Sequence, residues 1–238
     1  MMSAIKNTAP SARIMRQSEK IAQLSPNRRD RRKHATRQAL LDATHSLLAS
    51  RSLDALTVDQ IASEADVAKG TFYNYFADKE AVARELASHV RLLVENDITR
   101  ANEGIADPAA RIGRAFCCVV RFSQDAPQQA VAMMRLFPHA TDPSAPINSG
   151  VRGDVAEGLS RGRFIASSED VAIACIVGVF TAGVNRALDL PPSDARELTR
   201  ELGAILLHGL GLGRAQAASI MNKAVESILP STKERSWE

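Results

Sequence analysis

Past about position 30, nearly every apolar residue falls on a 3.6-residue period, and that regularity more than any other limits what the chain can fold into. Leu40, Ala43, Leu47 and Leu48 recur at the i, i+3, i+7, i+8 spacing of an amphipathic helix and predict a first helix over about 32–49. Thr57 is a suitable N-cap for a short second helix carrying Val58, Ile61, Ala62 and Ala65. A third short helix, about 68–75, holds three aromatics, and Asp78 caps a fourth over about 79–102, with Glu80 in its first turn facing the positive end of the helix dipole. Asp107-Pro108, Asp142-Pro143, the run 167–170 and Ser193-Asp194 mark later starts. The remaining helices are expected over about 108–125, 128–137, 143–161, 168–189, 193–209 and 214–229. No segment alternates as a strand bounded by turn residues, so the fold class is all-α.

Charge adds organisation that the net value hides. The chain carries +3 over 238 residues, but residues 1–30 hold six Lys/Arg against two Asp/Glu, residues 31–91 nine against eight, and residues 92–238 fifteen against seventeen. The densest basic run is Arg28, Arg29, Arg31, Arg32 and Lys33, a composition that draws polyanions. Residues 1–30 show no apolar period and are expected to be a flexible basic arm. Three cysteines, Cys117, Cys118 and Cys175, do not make a disulfide framework and suit a reducing compartment. No secretory h-region opens the chain, and the longest uncharged stretch, 171–185, falls short of the roughly 20 residues that span a bilayer. A cytoplasmic protein with no membrane partner is the expectation.

The chemistry concentrates in residues 57–76, where two short helices joined by a tight turn are anchored by Ile61, Ala62 and Phe72. That is the pattern of a helix-turn-helix whose second helix enters the major groove of DNA. The second helix opens on Lys69, Gly70 and Thr71, small and hydrogen-bonding residues at an N-terminus whose N–H groups favour phosphate. Phe72 and Phe76 fit core packing better than base stacking. Tyr73 suits both packing and donation from its hydroxyl.

The run Lys-Gly-Thr-Phe-Tyr-Asn-Tyr-Phe-Ala-Asp-Lys-Glu at 69–80, with Leu-Thr-Val-Asp-Gln-Ile-Ala upstream, resembles the DNA-binding domain of the TetR family of bacterial transcription regulators, over about residues 32–91. The resemblance implies that Lys69 and Gly70 lie at bases, that Thr57, Thr71, Tyr73 and Lys79 lie at phosphates, and that Tyr75 fits either role. Val58, Asp59 and Asn74 complete the expected DNA-facing set. Three residues depart from the family pattern: Asp66 stands where glycine is usual, at a modest cost for a left-handed backbone; Ala68 replaces a serine cap; and Asp59 favours a cytosine amino group over a phosphate.

By the same resemblance, residues 31–91 form the DNA-binding domain and 92–238 a helical domain for effector binding and dimerisation, and repression of a palindromic operator by a homodimer is the default. One recognition helix reads only a few base pairs, so a two-fold dimer is also what groove geometry asks for. The apolar helix 168–189, with small residues Ala174, Gly178, Ala182 and Gly183, and the segment 193–213, with Leu206, Leu207, Leu210 and Leu212, are candidates for its interface or for ordinary core. A pocket for a small-molecule effector is expected from Phe116, Cys117, Phe122, Met133, Met134, Phe137 and Phe180, with polar groups Arg121, His139 and Asn185. Arg121 either awaits an anionic ligand or closes an internal salt bridge. Vicinal Cys117 and Cys118 leave open a redox-responsive regulator, and a ligand-independent DNA binder would lack a cavity.

An enzyme is not expected. The chain has no Gly-x-Ser-x-Gly, phosphate-binding loop or His-Glu-x-x-His, and its Gly-x-Gly-x-Gly at 209–213 follows a helix where a dinucleotide site needs a strand. No cofactor or metal is implied.

Overall fold

A computed structural model describes residues 28–137, 142 and 144–229. Its regular structure is entirely helical among the described residues: α1 (Arg28–Leu48), α2 (Val58–Glu64), α3 (Lys69–Tyr73), α4 (Lys79–Ala101), α5 (Pro108–Asp125), α6 (Pro127–Leu136), α7 (Ser149–Ser160), α8 (Glu169–Ala187), α9 (Pro192–Gly209) and α10 (Arg214–Ile228), plus a 3₁₀ turn at Pro146–Asn148. The all-α expectation holds.

Two differences from the sequence reading have clear causes. Arg28, Arg29 and Asp30, expected in a flexible arm, form the first turn of α1, because nothing between Arg28 and Leu48 breaks a helix and Arg and Lys are good helix formers. The rest of the expected arm lies outside the described residues. The helix expected from 143 starts only at Ser149. Pro146 pushes Ala145 to an extended ψ of 133°, so Asp142 caps a turn instead, accepting from the Ser144 N–H at 2.8 Å, while the Asn148 amide donates to its carbonyl oxygen at 2.8 Å. A smaller difference concerns α9, where Pro192 at the first position makes the start and Ser193 bonds its neighbour Asp194 rather than a backbone N–H.

Buried side chains form two clusters. Leu40, Ile61, Ala62, Phe72, Phe76 and Val82 make a small core that clamps α2 and α3 between α1 and α4. A much larger core begins with Leu48, Leu56, Leu86, Val90 and Val94 and runs through α5, which packs against α4, α6, α7, α8, α9 and α10. The seam between the clusters therefore crosses α4 near its second turn, and α4 is continuous through it. α6 packs against both α1 and α4. Leu206, Leu207, Leu210 and Leu212 belong to the large core, at 3% exposure or less, so of the two readings left open for them the structure gives ordinary core.

Candidate nucleic-acid interface and ligand cavity

The helix-turn-helix is built by local rules. Thr57 accepts from the Gln60 N–H while the Gln60 side chain accepts from the Thr57 N–H, a reciprocal capping box that fixes the start of α2. Asp66 takes the turn at φ 52°, the left-handed backbone for which glycine is the commoner choice. Ala68 caps α3 with no side-chain hydrogen bond. Phe72 is completely buried and meets Tyr73 edge-on at 5.5 Å between ring centroids, leaving Tyr73 half exposed with its ring braced from behind. The Arg37 guanidinium lies 4.9 Å over the Phe76 ring and pairs with Glu85, which ties α1 to α4 beneath the motif.

At the solvent face, Thr57, Asp59, Lys69, Gly70, Tyr73 and Asn74 are exposed, Thr71 is half-buried, and nothing approaches a side chain built on Gly70 within 4 Å, so a partner surface can come close to the backbone there. Val58 and Tyr75 are half-buried and pack against the small core. Lys69 donates to Asp59 at 2.9 Å, and that hydrogen bond holds the lysine ammonium above its ordinary pKa. Both groups are exposed, so water screens the pair and an approaching anion can open it.

Lys79 differs from the expectation. Its ammonium donates to the carbonyl oxygens of Leu53 at 3.0 Å, Asp54 at 3.1 Å and Leu56 at 3.0 Å, which uses all three donors on the loop between α1 and α2. The side chain ties that loop to the start of α4, and no donor remains for a phosphate.

Away from this face, α4, α5, α6, α7 and α8 surround a cavity of about 960 Å³. Ile112, Ala115 and Val119 line it from α5, Met133 and Met134 from α6 with Phe137 just beyond, and Val177, Phe180 and Val184 from α8. Of the expected lining, Met133, Met134, Phe137 and Phe180 are in place. Phe116 and Cys117 are not, because α5 presents the stripe 112, 115, 119 to the cavity and turns these two residues away. Phe116 instead stacks on Phe180 at 4.9 Å and fills the space left by Gly183. Phe122 packs against the large core, Asn185 is exposed and does not line the cavity, and His139 lies outside the described residues. Arg121 donates to Asp97 at 2.5 Å and to the Ile228 carbonyl at 3.4 Å, so it closes an internal salt bridge rather than awaiting a ligand.

Sequence reasoning missed the polar side of the cavity, where Arg91, Glu95, Asn102, Arg111, Asp154 and Thr181 contribute. Their signal was available in the i, i+4 pair Arg91–Glu95 and in Asn102 at the end of α4, but nothing local told these from a solvated helix face. A redox role for Cys117 and Cys118 does not fit their surroundings. Both thiols are fully buried, and desolvation pushes them up to about 12 and about 11, so neither supplies the thiolate that oxidation requires. Cys175 is exposed on α8.

α6 links the cavity to the helix-turn-helix. Between Met134 and Leu136 stands Arg135, which donates to the Leu48 carbonyl at the C-terminus of α1 and to the Arg51 carbonyl at 3.1 Å. These bonds tie α6 to the C-terminal end of α1.

Residues 40–86 match the family of bacterial regulatory proteins described as the tetR family. The chain is 32% identical over 93 residues to the HTH-type transcriptional regulator HbdR of Aromatoleum sp. strain CIB, a stretch that is 38% of this chain and 41% of HbdR. It thus spans about two fifths of that relative's length. Among solved structures, that of RolR in complex with resorcinol is 26% identical with a TM-score of 0.53, covering 81% of this chain and 96% of RolR. A γ-butyrolactone receptor, ArpA-like, shares the fold at 16% identity and a TM-score of 0.58, covering 82% of this chain and 98% of the receptor. The matched family is described as regulatory proteins, and HbdR is named as a transcriptional regulator.

Proposed function

We propose that this chain, whose helix-turn-helix domain belongs to the TetR family of bacterial regulatory proteins, is a cytoplasmic transcription regulator that binds a palindromic DNA operator as a homodimer and is released by a small-molecule effector. The observation that carries the reading is the exposed N-terminus of α3, with Lys69 and Gly70 standing clear of a solid core and Thr71 half-buried beside them. In this reading Lys69 and Gly70 lie at base edges, with Asp59 opening to free Lys69, while Thr57, Thr71 and Tyr73 hold phosphates and Asn74 borders the same groove. Arg28, Arg29, Arg31, Arg32 and Lys33 bring the basic start of α1 toward the backbone.

Dimerisation is supported by α8 and α9. α8 is the one helix among the described residues that is long and apolar enough to cross a membrane by composition, yet only 39% of its apolar window is buried. Val171, Ala174, Cys175 and Ala182 line its exposed side, and Ile205 on α9 is 66% exposed. A second copy related by a two-fold axis covers such a face and sets two copies of α3 one helical turn of DNA apart.

Release follows from linkage. An effector that binds the DNA-incompetent dimer 100-fold more tightly contributes about 2.7 kcal/mol against operator binding. Contacts with Met133, Met134 and Phe137 reach α1 through Arg135, and contacts with the lining residues of α4 reach the motif along that helix. The reading is tested by a gel shift of the full chain on its own upstream intergenic DNA with scrambled competitor. Retention only by the specific fragment supports a specific regulator; equal retention of scrambled DNA overturns it.

A further inference from the structure

We propose that Asp59 and Lys69 together read one G·C base pair in each operator half-site, Lys69 donating to the guanine and Asp59 accepting from the amino group of the cytosine paired with it. This rests on the DNA-regulator reading above and adds to it a pair of side chains that sets sequence specificity.

The two side chains come from different elements held in one geometry. Asp59 sits in the first turn of α2, inside the Thr57–Gln60 capping box, and Lys69 opens α3. Ile61 and Ala62 of α2 and Phe72 of α3 are buried in the same small core, and the Val67 N–H donates to the Ala62 carbonyl at 2.9 Å across the turn. Lys69 Nζ and Asp59 Oδ2 meet at 2.9 Å with both side chains more than half exposed, and Oδ1 of Asp59 has no protein partner among the described residues. At the adjacent Gly70 no atom lies within 4 Å of a built side chain, so a base pair can come close.

A donor and an acceptor side by side match the edge of one base pair. In the major groove guanine offers the acceptors N7 and O6, and its cytosine offers the N4 amino donor. O6 and N4 are themselves joined by an N–H···O hydrogen bond of about 2.9 Å, the spacing of the ion pair, so both groups turn onto the bases with little sideways movement. Water screens the exposed pair, so releasing its bond costs little. The other three arrangements fit worse. A reversed C·G pair sets the ammonium against an amino group and the carboxylate against O6 and N7. An A·T pair places the thymine O4 and methyl group under Asp59, and a T·A pair places the methyl group under Lys69 and N7 beside the carboxylate. On the phosphate backbone Asp59 meets only like charge, so its carboxylate penalises any register in which no base supplies a donor.

The experiment enriches binding sites from a pool of random duplex DNA with the full chain as wild type, Asp59→Ala, Asp59→Asn and Lys69→Met, and records the thermal melting of each. The wild type is expected to enrich inverted repeats in which one position of each half-site favours G·C over C·G by at least about fivefold. Asp59→Ala and Lys69→Met should each bring that preference below about twofold at the same position, with the other positions and the melting temperature unchanged. Asp59→Asn, whose amide pairs with adenine, should replace the cytosine there by adenine. Base preferences unchanged by Asp59→Ala, a cytosine retained by Asp59→Asn, loss at a different position with Lys69→Met, or uniform loss across the half-site overturns the proposal. Enrichment of repeats by the wild type separates the failures. If it is present, only the paired readout falls; if it is absent, the regulator reading falls with it.

Discussion

The small core beneath the helix-turn-helix and the large core around the cavity bury the same kinds of side chain and use them oppositely. In the first, Leu40, Ile61, Phe72 and Val82 close on one another completely, and the functional groups stand outside on a rigid floor. In the second, Ile112, Val119 and Phe180 pack on one side and face about 960 Å³ of open space on the other. A reading surface must be presented in one geometry, and close packing fixes it. A binding site for a small molecule must give up packing to make room, and the surrounding helices carry that cost. The two regions should therefore respond differently to the same kind of substitution.

The largest difference is expected between Phe72→Ala and Met134→Ala. The first empties the centre of the small core and should cost about 3–5 kcal/mol by chemical denaturation, while the second trims a side chain already facing the cavity and should cost less than about 1 kcal/mol. Similar losses at both sites would break the contrast. Lys79→Met comes next. With the Leu53, Asp54 and Leu56 carbonyls deprived of their donor, stability should drop by about 1–2 kcal/mol and operator affinity should change only as far as folding does. A variant that melts like wild type and loses DNA binding would restore Lys79 to the phosphate backbone.

Tyr73→Phe reverses that signature. The ring remains braced on Phe72, so melting should be unchanged, while loss of a charge-assisted hydrogen bond from the hydroxyl should weaken operator binding about tenfold. A large fall in melting temperature would make Tyr73 structural. The smallest effect concerns the thiols of the large core. At pH 8 Cys117 and Cys118 should react with a thiol reagent only on unfolding, whereas Cys175 should react in the dissociated chain and be shielded where a second copy covers α8. Because their folded pKa values are raised, stability is fully present below the ordinary thiol value of 9 and should fall as pH climbs from there toward 11–12. Rapid labelling of all three cysteines in the folded protein would mean that the large core opens far more readily than its packing implies.

How far each region could be read from the chain follows the same division. Thr57 as a cap, the left-handed turn at Asp66 and the bare cap at Ala68 are decided within a few residues, and each is where the sequence places it. The start of α7 is a local effect too, but it turned on Pro146 rather than on the Asp142-Pro143 pair three residues earlier. The cavity was legible only in part, because which face of α5 meets open space depends on how α4, α6 and α8 close around it. One step around that helix separates Ala115, which lines the cavity, from Phe116, which fills the core. Lys79 and Arg121 show the same limit for charged groups: their partners, at Leu53–Leu56 and at Asp97, lie more than twenty residues away. No local pattern specifies such a pairing.

Hydroxyl-radical footprinting of the full chain on its own upstream DNA tests the central claim most directly, since it reports where α3 lies. The account predicts two protected patches related by inverted symmetry, about one helical turn or 34–36 Å apart centre to centre, both weakened by Tyr73→Phe. Uniform protection along the fragment, or patches insensitive to Tyr73→Phe, would contradict it.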